Sequence, residues 1–201
     1  MLSGHSDMRT PTTPSSVKIV VSGGFGVGKT TFIGAISEIE PLVTEAAMTE
    51  MAVGVDDAGH RADKTQTTVA LDFGRITLDS SLLLYLFGTP GQDRFVFLWD
   101  DLVDGALGAV IVVDTGRVDD CYPVLDYFEG RGTPFVVAVN RFDGGTRFDL
   151  AEVREALELD DWIPVLECDA RKRDSVKEVL VSLLEQVLSH RADHLTALDA
   201  G

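Results

Sequence analysis

Residues 23–31 read GGFGVGKTT. VKIVVS, residues 17–22, precedes them as a short β-branched run that reads as a buried strand. A helical stretch near 30–39 follows. Strand, glycine-rich loop and helix in that order aim successive backbone N–H groups and a helix N-terminus at one point, a place suited to a phosphate. Gly23, Gly28, Lys29 and Thr30 hold the spacing G-x-x-x-x-G-K-T. Gly24, Gly26, Val27, Gly28, Lys29, Thr30 and Thr31 are therefore candidate nucleotide contacts. Lys29 is placed to neutralise β- and γ-phosphate oxygens and the Thr30 hydroxyl to ligate Mg²⁺.

Outward from this loop, strands and helices alternate. TTVALDFGRITL and SSLLLYLF read as two antiparallel strands about a tight LDSS turn. DRFVFLWDDLVD is helix-like, ALGAVIVVD a buried strand, and DDCYPVLDYFEG a helix with Pro in its first turns. TPFVVAVN is a strand, DLAEVREALEL a helix capped by Asp149, and IPVLECD a strand. Asp174 is expected to cap the last helix, where Val176, Val179, Leu180, Leu183, Leu184, Val187 and Leu188 form an apolar stripe that reads as core-facing. Near-continuous apolar strands alternating with helices indicate an α/β fold of three layers, α/β/α. Its sheet is expected to have about six mostly parallel strands with one antiparallel edge pair. Residues 1–16, rich in Ser, Thr and Pro, read as a disordered tail, 17–190 as one domain, and 191–201 as a flexible tail. The irregular segment 40–66 is long enough to be functional or mobile, and a short helix is expected near 44–51.

The chain has 201 residues and a formal net charge of −16. That charge argues against nucleic acid as the main partner and against adsorption to anionic membrane. Cys121 and Cys168 are the two cysteines, without CxxC spacing, and read as buried, reduced thiols of a cytoplasmic protein. No signal peptide, spanning segment or lipidation motif is visible, so any membrane recruitment is expected through a partner.

VVAVNRFD ends a strand and puts Asn140 and Asp143 at the carboxyl edge of the sheet, where ligands bind in such folds. A carboxylate at Asp143 can accept from guanine N1–H and N2–H₂, whereas adenine has no donors there. Asn140 would contact the base and brace the phosphate loop, and Arg141 can lay its stem along the purine. ECDAR, residues 167–171, places Ala170 N–H toward guanine O6, with Arg171 beside it.

Together these motifs resemble the small Ras-like GTPases over about residues 17–190. The resemblance implies the P-loop NTPase G-domain, with GTP or GDP and Mg²⁺ bound. The family's base motif, NKxD, is here Asn140-Arg141-Phe142-Asp143. TTVALDF resembles the Rab-type TIGVDF, which aligns Thr68 with the Thr that senses γ-phosphate and ligates Mg²⁺. FGTPGQDRF resembles WDTAGQERF, which aligns Gly91 with the γ-phosphate sensor and Gln92 with the catalytic Gln that orients water, beside Lys29. The family's metal-holding Asp is replaced by Gly88. Asp72, four residues after Thr68 and on the same strand face, is a candidate replacement, or else a solvated carboxylate. Phe25 stands where it would crowd the entry of a partner's arginine, and Arg61 reads first as an exposed loop residue, with a substitute arginine as the alternative. FVFLW, residues 95–99, reads as helix packing with some surface exposure.

The bacterial MglA GTPases share the missing Asp, and FGTPGQDRF with NRFD is most similar to the conservon GTPases of actinobacteria. That resemblance implies partners of the roadblock-domain and sensor-kinase-like kinds. The expected function is a GTP-hydrolysing signalling switch, slow without a partner, with mobile switch segments 40–68 and 88–100. Two alternatives stay open at this point: a nucleotide-bound interaction protein that scarcely hydrolyses, and a phosphoryl-transferring kinase, against which the base motif speaks.

Overall fold

A computed structural model of the chain describes residues 14–40, 42–49, 66–91 and 93–199. In chain order the elements are β1 (Ser15–Ser22), α1 (Lys29–Ile36), β2 (Leu42–Thr49), β3 (Gln66–Asp79), β4 (Leu82–Gly88), a 3₁₀ turn (Asp93–Leu98) and α2 (Trp99–Val103). They continue as β5 (Gly108–Val113), a second 3₁₀ turn (Val118–Cys121), α3 (Tyr122–Arg131), β6 (Phe135–Asn140), α4 (Leu150–Ala156), β7 (Val165–Cys168) and α5 (Arg173–Asp199). One sheet joins all the strands in the order β2-β3-β4-β1-β5-β6-β7. Its ladders are parallel from β4 to β7, while β3 runs antiparallel to both β2 and β4.

Strict alternation along the central strands divides the core into two. Ile19, Val21, Val110, Val112, Val136 and Ala138 face α1 and α5, packing with Phe32, Ile33, Val179 and Leu183. Val20, Ala109, Ile111, Val113, Phe135, Val137 and Val139 face the other side, packing with Trp99, Phe128, Val153 and Ile163. Strands buried on both faces explain why they read as unbroken apolar runs. The polar carboxyl ends of β1, β4, β5 and β6 are thereby the places left for a site.

Four local expectations are corrected. The helix expected near 44–51 is instead β2, an edge strand along β3. Ala, Glu and Met favour helix only by tenths of a kcal/mol each, a preference that pairing with the 14-residue β3 overrides. Asp174 lies inside the first turn of α5, which begins at Arg173, so it complements the helix dipole rather than capping the helix. Leu188 departs from the buried stripe and is 67% exposed, while Val176, Val179, Leu183 and Val187 are buried as that stripe requires. β1 begins at Ser15 and α5 runs to Asp199, so both domain boundaries drawn from the sequence fall inside regular elements. The Asp149 cap is present as a full capping box: Asp149 accepts from Ala151 N–H, and Glu152 accepts from Asp149 N–H. Cys121 and Cys168 are both buried and free.

Candidate nucleotide-binding site

The loop between β1 and α1 is shaped by its contacts. Gly28 precedes α1 at φ 107°, and a Cβ there would lie 2.5 Å from Asn140 Nδ2, so both backbone and space call for glycine. Lys29 is buried, and its ammonium donates to the carbonyls of Gly23 at 2.8 Å and Gly24 at 2.6 Å. Burial pulls its pKa down to about 8; Asp72 opposes that shift and the positive charge of Arg117 adds to it. Phe25 projects from the loop rim, 62% exposed, and Thr31 borders the cleft described below.

The second motif is strapped to the loop. Ser22 and Thr89 hydroxyls share a buried hydrogen bond of 2.8 Å, and Thr89 N–H donates to Val21 O at 2.9 Å. Gly91 lies so close that a Cβ on it would sit 2.6 Å from Lys29 Nζ and 2.8 Å from Gly24 O. The buried Trp99 indole donates to Pro90 O at 3.3 Å and meets Tyr127 edge-on at 5.2 Å. Gln92 and Arg61 fall outside the described residues. Thr68 lies in β3, where its ladder partner is Ala47.

Beside these, Thr30 Oγ1 donates to Asp72 Oδ2 at 2.7 Å. A Cβ at Gly88 would lie 2.9 Å from Asp72 Cβ and 3.1 Å from Asp72 Oδ2. Among the described residues no cluster of three or more His, Cys, Asp or Glu could cage a metal. A hydroxyl and one carboxylate fit Mg²⁺ nonetheless, because that ion binds through one or two protein oxygens together with substrate phosphates and water.

At the base end, buried Asn140 is a strut. Its Nδ2 donates to Val27 O at 2.9 Å, and its Oδ1 accepts from Ala170 N–H at 3.1 Å. The Ala170 N–H expected to face a base carbonyl is thus engaged by Asn140, since both sit at adjacent strand ends. Asp143 is fully at the surface and accepts from Arg171 Nη1 at 2.6 Å and Nη2 at 3.2 Å, so the carboxylate expected to face guanine is held by a guanidinium. Hydrogen bonds from Arg171 hold the Asp143 pKa below the usual carboxylate range, and that of Asp169 well below it. Arg141 Nη2 reaches Glu167 and Phe148 O, while its Nε and Nη1 are buried without a hydrogen-bond partner. Asn140, Arg141, Asp143 and Arg171 border two clefts, of about 230 and 420 Å³; the smaller also touches Gly26, Gly28 and Ala170.

Sequence reasoning passed over the segment after β5. Arg117 pairs with Asp114 at 3.3 Å and Asp120 at 3.7 Å, and its Nη2 would lie 3.4 Å from a Cβ at Gly26. Asp120 closes against Gly24, where a Cβ would meet its Cβ at 2.7 Å. The cluster of charges in DTGRVDD at a strand's carboxyl end is the signal that would have found it.

A phosphate loop at the end of β1, a second loop strapped over it from β4, and an Asn strut from β6 define the nucleotide-binding G-domain fold of the Ras-like GTPase superfamily. Within that class, the chain belongs to the family described as "Conserved hypothetical ATP binding protein", whose model matches residues 21–190. Among curated proteins it is similar to the uncharacterized protein MJ1339 of Methanocaldococcus jannaschii, 28% identical over 139 residues, covering 68% of this chain and 77% of the relative. It is also similar to the Ras-related protein SEC4 of Saccharomyces cerevisiae, 26% identical over 130 residues, or 60% of either chain. Among solved structures, the G domain of the T. maritima FeoB iron transporter superposes with TM-score 0.57 at 20% identity, covering 88% of this chain and 99% of that one. The GDP form of that transporter's cytosolic domain gives TM-score 0.61 at 20% identity, covering 87% and 64%, and shares the fold. Among the described residues, no helix is long and apolar enough to cross a membrane.

Proposed function

We propose that this protein is a Mg²⁺-dependent GTP-binding and GTP-hydrolysing switch of bacterial signalling, acting in the cytoplasm. The observation that carries the guanine choice is the Asp143–Arg171 pair beside the Asn140 strut. A carboxylate at a strand's carboxyl edge, held ionised by a guanidinium, is an acceptor for the two adjacent donors of guanine, whereas adenine offers no donor to take the guanidinium's place. The family's description names ATP, so the base is the first thing to test.

In this reading the N-terminus of α1 and Lys29 hold the β- and γ-phosphates, with Lys29 giving up its carbonyl partners to do so. Gly91 is close enough to the loop for its N–H to reach a γ-phosphate, and Gln92 orients the attacking water. Mg²⁺, when bound, neutralises phosphate charge. Thr30 and Thr68 would be its protein hydroxyl ligands. Arg141 borders both clefts and can lay its stem along the purine. Hydrolysis, slow without a partner, releases the segments 40–68 and 88–100 and changes partner affinity, and Phe25 crowds the rim where a partner's arginine would enter. That same crowding favours the second reading, a nucleotide-bound interaction protein with little hydrolysis. The proposed partners are roadblock-domain and sensor-kinase-like proteins, on the similarity of NRFD and FGTPGQDRF to conservon GTPases.

Competition against fluorescent GDP tests the base: GTP is expected to displace it at concentrations on the order of 10⁴-fold below ATP. Equal displacement by ATP would reject the assignment. Single-turnover hydrolysis, with and without partners, separates the switch from the silent binder; a rate unchanged by Gln92→Leu would leave the second reading standing.

A further inference from the structure

We propose that the carboxylate of the Mg²⁺ site has moved across the sheet, from the end of β4 to β3: Asp72 supplies it, and Gly88 is the space the move requires. The inference rests on the guanine-nucleotide reading above and goes beyond it, because it assigns the metal's protein carboxylate and explains a glycine.

β3 and β4 are antiparallel neighbours, and Phe73 pairs with Phe87 in their ladder, so Asp72 and Gly88 flank that rung on adjacent strands. Their side-chain spaces coincide. A Cβ on Gly88 would sit 2.9 Å from Asp72 Cβ, closer than real Cβ atoms approach, and 3.1 Å from Asp72 Oδ2. A carboxylate rooted at 88 and the one rooted at 72 therefore exclude each other sterically, and two like charges at that distance oppose each other electrostatically as well.

What the Asp72 carboxylate does there is specific. Thr30 Oγ1 donates its single proton to Asp72 Oδ2 at 2.7 Å. A hydroxyl that gives its proton to a carboxylate turns its lone pairs outward, the state a cation needs from it. Asp72 also lies within electrostatic reach of the Lys29 ammonium, so the charges meant for phosphate and for metal are balanced at one place. A solvated strand carboxylate would have neither the hydroxyl partner nor a facing glycine shaped around it.

The test is the Mg²⁺ dependence of nucleotide release, measured with fluorescent GDP on the full chain. In the native protein, EDTA is expected to speed release. Asp72→Asn should raise the Mg²⁺ concentration needed to slow release by about tenfold or more. Release in EDTA supplies the variant's own metal-free baseline, and a cooperative thermal unfolding transition reports that the variant is folded. Gly88→Asp alone should disrupt the site. The exchange Asp72→Gly with Gly88→Asp should restore Mg²⁺-slowed release, because one carboxylate again occupies the shared space. An Asp72→Asn protein with native Mg²⁺ dependence, or an exchange variant no better than Gly88→Asp, would overturn the proposal while leaving guanine binding intact. Failure of the native chain to bind guanine nucleotide in either condition would remove the function and this inference together.

Discussion

Replacing Asn140 with Ala should cost about 3 kcal/mol, and the structure says why. Asn140 is 7% exposed and bonds two backbone groups at once, Val27 O at 2.9 Å and Ala170 N–H at 3.1 Å. Val27 and Ala170 are themselves buried, at 0% and 1% exposure, so water reaches neither group easily once the amide is gone. A buried polar group left without its partner costs about 1–3 kcal/mol, and two are orphaned here. Two such groups sum to about 2–6 kcal/mol, and partial relaxation toward the lower half of that range gives about 3 kcal/mol. At about 2–4 °C per kcal/mol for a domain of this size, the melting temperature should fall by about 6–12 °C. Asn140→Asp sharpens the test. It keeps an acceptor for Ala170 N–H but sets a carboxylate oxygen against Val27 O, so it should be worse than Ala although it is nearly isosteric. Urea unfolding gives the stability, with an unchanged m-value showing that the unfolded reference is the same. An Asn140→Ala protein within about 0.5 kcal/mol of native, the scatter of ordinary surface substitutions, would refute the strut.

Gly91→Ala places a methyl 2.6 Å from Lys29 Nζ and 2.8 Å from Gly24 O, so binding of a non-hydrolysable GTP analogue should weaken at least about tenfold, read by titration; native affinity would mean that Gly91 does not close on the phosphate loop. Trp99 bonds Pro90 O beside the second switch while Trp162 is exposed, so a Trp162→Phe protein should still change its tryptophan emission when GDP is exchanged for a GTP analogue, and constant emission would separate Trp99 from the switch. Burial pushes both thiols, Cys121 and Cys168, up to about 11. Neither should react with a disulfide reagent at pH 8 until the protein unfolds, and fast native labelling would contradict their burial. The folded state keeps these protons where the unfolded chain loses them, so their effect on stability is nil below about pH 9 and turns increasingly destabilising from there toward pH 11, checked by urea midpoints across that range.

Features whose cause is local were open to reading from the chain. The glycines, Lys29 and Thr30 must be adjacent to work, and Asp149 with Glu152 caps α4 within one turn. Apolar runs named the central strands because both faces of the sheet are covered. What escaped depends on partners distant in sequence. β2 carries helix-favouring Ala, Glu and Met, and only its pairing with β3 makes it a strand. Even spacing put Asp72 on the face of β3 that Thr68 shares, but left it undecided between metal site and solvent; the bond from Thr30, 42 residues away, is a property of the fold. The Ser22–Thr89 pair lacks a local pattern, since it joins the carboxyl ends of two different strands, whereas the Arg117 cluster is local and only its approach to Gly24 and Gly26 is a property of the fold.

The polar groups of the site also show where binding energy can come from. Lys29 is bonded to two carbonyls, Thr30 to Asp72, Ala170 N–H to Asn140, and Asp143 to Arg171. A ligand that engages Lys29, Ala170 N–H or Asp143 must replace a protein partner, so each such contact contributes only the difference between two hydrogen bonds. Arg141 is different. Its Nε and Nη1 are buried with no acceptor, a cost of about 1–3 kcal/mol already carried by the fold, and the residue borders both clefts. An acceptor can reach those two N–H groups only if the guanidinium shifts, which also moves its Nη2 bonds to Glu167 and Phe148 O. Exchange contacts of this kind discriminate between ligands more than they add affinity, because a wrong base loses the protein bond and gains none. In the proposed guanine-nucleotide reading, net attraction is therefore concentrated at the phosphates, through the helix N-terminus and the Lys29 charge, while the choice of base falls to Asp143.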